Sequence, residues 1–387
     1  MANSNLTNAK IAKNDEFYTQ YRDIEKEINA YLDFNPTTFK GKTILLPCDD
    51  PEWSNFTKYF AQNFERLGLK KIISTSYASN SKKYKTNYQP TLFETNDPQF
   101  DKNKTAVNGK IFTLTHDKTG DGKIDVDDLE WKYLKGDGDF RSEEIIKLRN
   151  EADIIITNPP FSMFREFLIW IVEAKKQLII IGNMNAITYK EVFPLIKNNK
   201  LWLGATGNGS DMVFAVPKGT EIAETDRQKA IRLGYIGDYT RLGNSCWFTN
   251  IDHGRRYQPL KLMSIKDNLK FNKKLKGKES YIKYDNYDAI EVPFTDAIPS
   301  DYKGVMGVPI SFLDKYNPEQ FKILGTSDNG IIDDKYKSTN GLTKQFVEDY
   351  YKAGGTGAYN EGNPTAGYYE NNIAKMAYKR IFIKHKR

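Results

Sequence analysis

Residues 153–161 read Asp153-Ile154-Ile155-Ile156-Thr157-Asn158-Pro159-Pro160-Phe161. A short apolar strand runs here straight into a rigid polar turn. The residues after it place Met163, Phe164, Phe167, Leu168, Ile171 and Val172 on one face of a helix. Strand, turn and helix in that order are one unit of an α/β sheet.

The same alternation extends to both sides. Residues 23–34 set Ile24, Ile28, Tyr31 and Leu32 at helical spacing, and residues 43–48 form an apolar strand. Residues 54–69 repeat Phe56, Tyr59, Phe60, Phe64 and Leu67 at helical spacing, with Ser54 as the N-cap. Residues 71–76 read as a second strand. A polar stretch follows, with hairpin-like pieces near Gly109. Ser142 caps a helix that opens with Glu143 and Glu144, charges that suit the helix dipole. Strands follow at 178–181, 201–203, 212–216 and 246–249, with a helix over 188–197. Strands alternating with helices imply a parallel, doubly wound sheet covered on both faces, with its ligands beyond the carboxyl ends of the strands. The expected first domain is residues 1–252, with a Gly/Asp-rich insertion near 101–135. The remainder, 253–387, shows no sustained helical period until 371–384.

Composition narrows the chemistry. The 387 residues carry 57 basic and 50 acidic side chains, a mild net charge of +7 that suits an anionic partner. No run approaches the ~18 apolar residues of a membrane span, and residues 1–13 are too polar for a signal peptide. A cytosolic protein meeting an anionic partner is expected. Cys48 and Cys246 are the only cysteines, and His116, His253 and His385 the only histidines. That scarcity argues against disulfide frameworks, zinc hydrolases and His-centred triads.

The turn after the strand suits a chemistry that needs neither residue. Two prolines fix φ and remove two N–H donors. The side-chain oxygen of Asn158 and the carbonyl of Pro159 can converge on an exocyclic amine, holding its protons and aiming its lone pair. Phe161 can stack on the ring that carries the amine. The four residues also make a rigid turn with a capping Asn, and the residues alone leave both readings open.

Asn158-Pro159-Pro160-Phe161 in this setting resembles motif IV of S-adenosylmethionine-dependent amino methyltransferases. Further strings occur in the order of the EcoRI-type adenine-specific DNA methyltransferase family. They are Asp15-Glu16-Phe17-Tyr18-Thr19, Cys48-Asp49-Asp50-Pro51, Gly136-Asp137-Gly138-Asp139-Phe140-Arg141-Ser142 and Asn158 through Glu166. Ile187-Thr188-Tyr189-Lys190-Glu191-Val192-Phe193, Tyr284-Asp285-Asn286-Tyr287-Asp288-Ala289-Ile290 and Gly304-Val305-Met306-Gly307-Val308-Pro309-Ile310 follow. The resemblance spans about residues 13–325.

It implies a Rossmann-like methyltransferase sheet, a C-terminal target-recognition region, and methyl transfer from S-adenosylmethionine to adenine N6 in double-stranded DNA. Asn158, Pro159, Pro160 and Phe161 are then catalytic, with the adenine flipped out of the duplex to reach them, and Asn158 also belongs to the cofactor site. Phe17, Tyr18 and Thr19 correspond to motif X, beside the methionine end of the cofactor. Cys48, Asp49, Asp50 and Pro51 occupy motif I without its usual glycine-rich loop. Asp139 and Phe140 correspond to motif III, at the cofactor adenine. Where motif II offers an acid to the ribose, this chain has Ser74-Thr75-Ser76-Tyr77. The resemblance favours a monomer, serving a restriction-modification system beside a separate endonuclease or acting as an orphan methylase. An RNA or protein-glutamine amino methyltransferase and an inactive cofactor-binding DNA-binding module are the alternative functions.

Two charged segments stand outside that core. Seven lysines fall between residues 261 and 278. Lys270, Lys273, Lys274 and Lys276, with Arg255 and Arg256, are candidate DNA phosphate contacts, and a solvated lysine-rich loop is the equal alternative. Residues 117–128 follow EF-hand spacing, with Asp117, Asp121, Asp125 and Asp128 at positions 1, 5, 9 and 12 and Gly122 at position 6. This loop is either a structural calcium clip or a polar turn.

Overall fold

The computed structural model describes residues 17–48, 54–78, 97–206, 212–216, 218, 220–327, 341–360 and 365–386. The chain forms two compact units, Met1–Ala186 with Leu203–His253, and Ile187–Trp202 with Gly254–Arg387.

The strands up to His253 are β1 (Tyr18–Thr19), β2 (Thr43–Leu46), β3 (Lys71–Ser76), β4 (Lys110–Leu114), β5 (Glu130–Tyr133) and β6 (Ile154–Thr157). Then come β7 (Gln177–Asn183), β8 (Trp202–Leu203), β9 (Val213–Ala215), β10 (Tyr239–Arg241) and β11 (Ser245–Thr249). One large mixed sheet has the order β5-β4-β3-β2-β6-β7-β11-β8. Its central strands β3, β2, β6 and β7 are parallel. The parallel expectation fails toward the edges, where β4, β5 and β11 are antiparallel to their neighbours. The cause at one edge is the inserted segment: β4 and β5 form a hairpin, which needs no crossover helix. From β2 the sheet extends one way through β3, and from β6 the other way through β7. Ligand sites of open α/β sheets lie beyond the carboxyl ends of the strands at such a reversal.

Every residue of β2 and β6 is buried, because both faces of the sheet are covered. Ile44, Leu46, Ile72, Ile154, Ile156, Ile179 and Ile181 share a core with Ile24, Ile28 and Tyr31 of helix Tyr21–Phe34 and with Phe56, Tyr59 and Phe60 of helix Asn55–Gln62. Helix Phe164–Glu173 lies against β7, where a Cβ added at Gly182 would fall 2.3 Å from the Phe164 ring. Only glycine permits that approach. Both expected N-caps form: Ser54 accepts from Phe56 N at 3.1 Å and Ser142 from Ile145 N at 3.3 Å. Each such cap is worth about 1 kcal/mol.

Glu27 is fully buried in this unit. Burial pushes its carboxyl up, and four donors oppose that: Tyr31 Oη at 2.8 Å, Ala205 N at 2.8 Å, Thr206 N at 2.8 Å and Thr206 Oγ1 at 2.6 Å. Glu27→Ala leaves the buried Tyr31 hydroxyl and the partly buried donors of Ala205 and Thr206 without this acceptor. It should lower unfolding free energy by about 3 kcal/mol in urea titrations; a loss below about 0.5 kcal/mol would refute the role.

A second, three-stranded sheet has the order β1-β9-β10, with both pairings antiparallel.

The other unit carries β12 (Ala289–Glu291), β13 (Val305–Pro309), β14 (Phe321–Thr326), β15 (Gly367–Glu370), β16 (Ile373–Met376) and β17 (Arg380–His385). The order of its larger sheet is β12-β13-β17-β14. The strings at 284–290 and 304–310 meet here: β12 pairs with β13, and the Tyr284 ring lies over Gly307. Arg380 holds Glu291 through Nη2 at 2.6 Å and Nε at 3.0 Å, and the Tyr284 hydroxyl donates to the same carboxylate. Those strings therefore form this unit's core. The helical reading of 371–384 is wrong. Asn371 and Asn372 adopt φ of 52° and 62° and turn the β15–β16 hairpin, and β17 follows. Asn is among the residues that tolerate such a two-residue turn.

Candidate active site

β6 ends at Thr157, so Asn158 leaves the sheet at its carboxyl edge. Pro160 precedes a 3₁₀ turn, Phe161–Met163, which leads into helix Phe164–Glu173. Met163 N bonds Pro160 O at 2.9 Å and closes the turn.

Asn158 Nδ2 donates to the carbonyl of Phe17 at 2.6 Å. That bond fixes which way the amide points. Its Oδ1 is buried and has no hydrogen-bond partner. A buried acceptor left unpaired costs on the order of 1–3 kcal/mol, and such atoms are rare. Thr19 Oγ1 is a second buried polar atom without a partner. Asn55 Nδ2 donates to Thr19 O at 2.7 Å, so two side-chain amides latch the segment Phe17–Thr19.

Three phenyl rings, one of them Phe161 of this turn, pack on one another. Phe17 and Phe161 lie 5.6 Å apart, Phe17 and Phe214 6.0 Å, and Phe161 and Phe214 6.5 Å. β9 brings Phe214 here, because Phe214 pairs with Thr19 of β1. The sequence reading recognised the strand at 212–216 and missed its aromatic. Nothing local separates Phe214 from ordinary core.

The neighbouring end of β3 gathers the next group. Gly138 has φ +90°, and a Cβ there would lie 2.3 Å from Ser76 O; one at Gly109 would lie 2.4 Å from the same atom. Ala78 N bonds Asp137 O at 2.8 Å. Segment 136–140 is thereby pressed onto the carboxyl end of β3, and Asp139 and Cys48 both come near Tyr77. Burial above all, then Cys48 and Asp139, pushes the Tyr77 phenol well up, while the Phe140 backbone hydrogen-bonds it. Arg141 grips Asp139 through its backbone N at 2.8 Å and Nε at 2.9 Å, and holds the carboxyl below its usual range. Arg141 and Tyr77 were not singled out from sequence, although both stand in quoted strings.

Phe140 is fully buried, with Phe167 at 5.1 Å and Trp170 at 5.5 Å. It anchors the segment from within. Tyr18 and Thr19 pair with β9. Asp49, Asp50 and Pro51 lie outside the described residues. His253 and His385 bond the carbonyls of Leu203 and Pro299, and His116 bonds Thr115, so no histidine joins these groups.

The Asp-rich loop turns its carboxylates onto its own amides. Asp117 accepts from Gly120 N and Gly122 N, and Asp128 from Lys118 N, Thr119 N and Asp125 N. Those bonds hold the Asp128 carboxyl down at about 2. Asp121 accepts from Lys123 N and Asp125 from Asp127 N. Among the described residues no group of three or more His, Cys, Asp or Glu is placed to hold a metal. Ile124, Val126 and Leu129 pack on the core of the unit, so the calcium clip gives way to a turn docked by apolar side chains.

The basic candidates divide. Arg256 is 7% exposed, with its guanidinium 3.5 Å from the Trp202 ring centroid and Nη2 on Asn199. Arg255 pairs with Asp314. Arg256 is thus buried within its own unit, while Arg255 stays partly exposed beside Asp314. Lys270, Lys273, Lys274 and Lys276 are exposed.

Comparison with known proteins gives one class. The family described as adenine-specific methyltransferase EcoRI matches residues 5–386. The chain is 42% identical over 346 residues to the type II methyltransferase M.EcoRI of Escherichia coli, covering 89% of this chain and 95% of that protein. It is 32% identical over 360 residues to M.MpnI of Mycoplasma pneumoniae, covering 91% and 94%. No solved structure matches. The chain belongs to the EcoRI family of adenine-specific DNA methyltransferases.

Proposed function

We propose that this chain transfers the methyl group of S-adenosylmethionine to N6 of an adenine flipped out of duplex DNA, on a Rossmann-like unit that lies within residues 1–252. The observation that carries the reading is the Asn158 amide, held at Nδ2 by the Phe17 carbonyl and left with a buried, unpartnered Oδ1. S-adenosylmethionine supplies a methyl already activated on a sulfonium, so the protein contributes position. Oδ1 of Asn158 and the carbonyl of Pro159 accept the two amine protons and aim the lone pair along the methyl–sulfur axis. Phe161, with Phe17 and Phe214, receives the adenine ring. Asp139, kept ionised by Arg141, accepts from the cofactor's adenine amine. Thr19 Oγ1 faces the methionine end. The methyl–sulfur bond breaks as the nitrogen–methyl bond forms, and the sulfur leaves as the neutral thioether of S-adenosylhomocysteine. The extra proton of the methylated amine passes to water, so the transfer calls for no histidine base. Purified protein with labelled cofactor should place methyl groups on adenine of mixed-sequence duplex DNA; no label in adenine would refute the proposal. The alternatives of an RNA or protein-glutamine substrate have no support from the family assignment.

Residues 253–387 serve target recognition in this reading, with the exposed lysines on DNA phosphates. The protein acts as a monomer, beside any separate endonuclease. The quadruple variant K270Q/K273Q/K274Q/K276Q should weaken binding equally across sequences and flatten the slope of log K against log salt by roughly 3. An unchanged slope would remove this stretch from the interface.

A further inference from the structure

Ile236 is 83% exposed, more than any other large hydrophobic among the described residues, and Leu233 and Ile231 nearby are 44% and 40% exposed. Single exposed apolar residues are ordinary. Three within six positions, spread from the end of helix Glu224–Arg232 into the connection after it, are a feature. The tip of that connection is shaped by Gly234 and Gly237, at φ +90° and +119°, a backbone that other residues rarely take.

The connection is held at both ends. Gly234 N bonds Ile231 O at 2.9 Å and Tyr235 N bonds Ala230 O at 3.0 Å, closing the end of helix Glu224–Arg232. Val216 N bonds Asp238 O at 2.9 Å, and the Tyr235 ring packs on Tyr239 at 5.3 Å. Ile236 therefore stands out from a fixed base. Four residues later, Thr240 pairs with Phe214, which on its other side pairs with Thr19. The tip leads into the strand that pairs with Phe214, one of the three aromatics of the proposed methyl-transfer site. Arg232 is exposed in the last turn of the helix that leads into the tip, where Lys229 pairs with Asp226 at 3.5 Å. Arg232 carries charge of the sign a phosphate backbone meets.

We infer that Ile236 is a wedge that enters the base stack of the bound duplex and fills the space left by the extruded adenine, with Arg232 against the adjoining phosphates. The inference rests on the proposed function, because only an extruded base leaves such a space. Unstacking a base step costs a few kcal/mol, and an inserted apolar side chain offsets part of it. Leu233 widens the apolar tip, and the glycines let it approach the groove without side chains of their own.

The test uses the full chain and a duplex bearing its own methylation site, mapped beforehand by modification sequencing, with 2-aminopurine in place of the target adenine. Wild type should raise the 2-aminopurine fluorescence on binding. Ile236→Ala and Ile236→Ser should lose most of that rise and slow single-turnover methylation of the adenine duplex roughly tenfold, about 1.4 kcal/mol. Thermal stability and cofactor affinity should not change, since the side chain packs on little. A mismatch opposite the target should restore the variant rate, because an unpaired adenine needs no wedge. Equal fluorescence and rates in wild type and variants would overturn the inference, as would a slowed rate that the mismatch does not restore. A change of oligomeric mass in the variants would assign the tip to self-association and also overturn it. A wild type that methylates no DNA would instead bring down the proposed function.

Discussion

Asn158→Ala should reduce methyl transfer by a factor of about 10²–10³ or more while the protein stays folded. The size follows from the bond it removes. A positioned acceptor in a water-poor site, used as the amine gains positive charge, is worth about as much as one donor of an oxyanion hole. The fold should survive, because the side chain contributes one hydrogen bond, from Nδ2 to Phe17 O, worth about 1 kcal/mol net. Cofactor affinity should fall little. Asn158→Asp separates the two ends of the amide. It keeps an oxygen for the amine but sets another against the Phe17 carbonyl, so its rate should lie between wild type and alanine. Single-turnover incorporation of labelled methyl, with thermal melts as the control for folding, measures both. An Asn158→Ala rate within about fivefold of wild type would end the assigned role.

Gly138→Ala should be as damaging by a different route. Position 138 has φ +90°, and its Cβ would lie 2.3 Å from Ser76 O and 3.2 Å from Ser76 C. The obstacle is backbone at the end of a central strand, so no side chain can swing aside. A positive φ in a non-glycine residue adds about 1–2 kcal/mol. Segment 136–140 must lift, taking Asp139 from its place beside Tyr77. Calorimetry should show cofactor binding weakened roughly 10- to 100-fold, with a lower melting temperature. Gly136→Ala is the matched control, since nothing lies within 4 Å of a Cβ there. Equal behaviour of the two variants would show that segment 136–140 does not position the cofactor.

The sheet and the turn at its edge were legible because their signals are local. Three consecutive isoleucines before Asn158-Pro159-Pro160 declare a buried strand and its end, and Ser54 and Ser142 mark helix starts by chemistry the fold repeats. The less legible parts depend on partners distant in sequence. Phe214 joins the site only because β9 pairs with β1. Arg256 reads as a free cation until Trp202 lies under it. The acidic loop has the spacing of an ion site, yet the same spacing lets its carboxylates cap backbone N–H groups. Residues 371–384 show how short the helical signal was. Two adjacent asparagines at positive φ make a turn, and no helical period survives that.

The first unit is interrupted, and the interruption bears on how the chain is made. β7 is flanked by β6 and β11, yet β11 lies beyond the excursion Ile187–Trp202. A ribosome delivering the chain from its N-terminus releases β7 well before residues 245–249. Until they arrive, the apolar run Leu178–Ile181 is an open sheet edge. Nascent chains halted between residues 186 and 245 should therefore engage chaperones or aggregate. Chains extended past Thr249 should resist protease, because the last neighbour of β7 has then closed the edge.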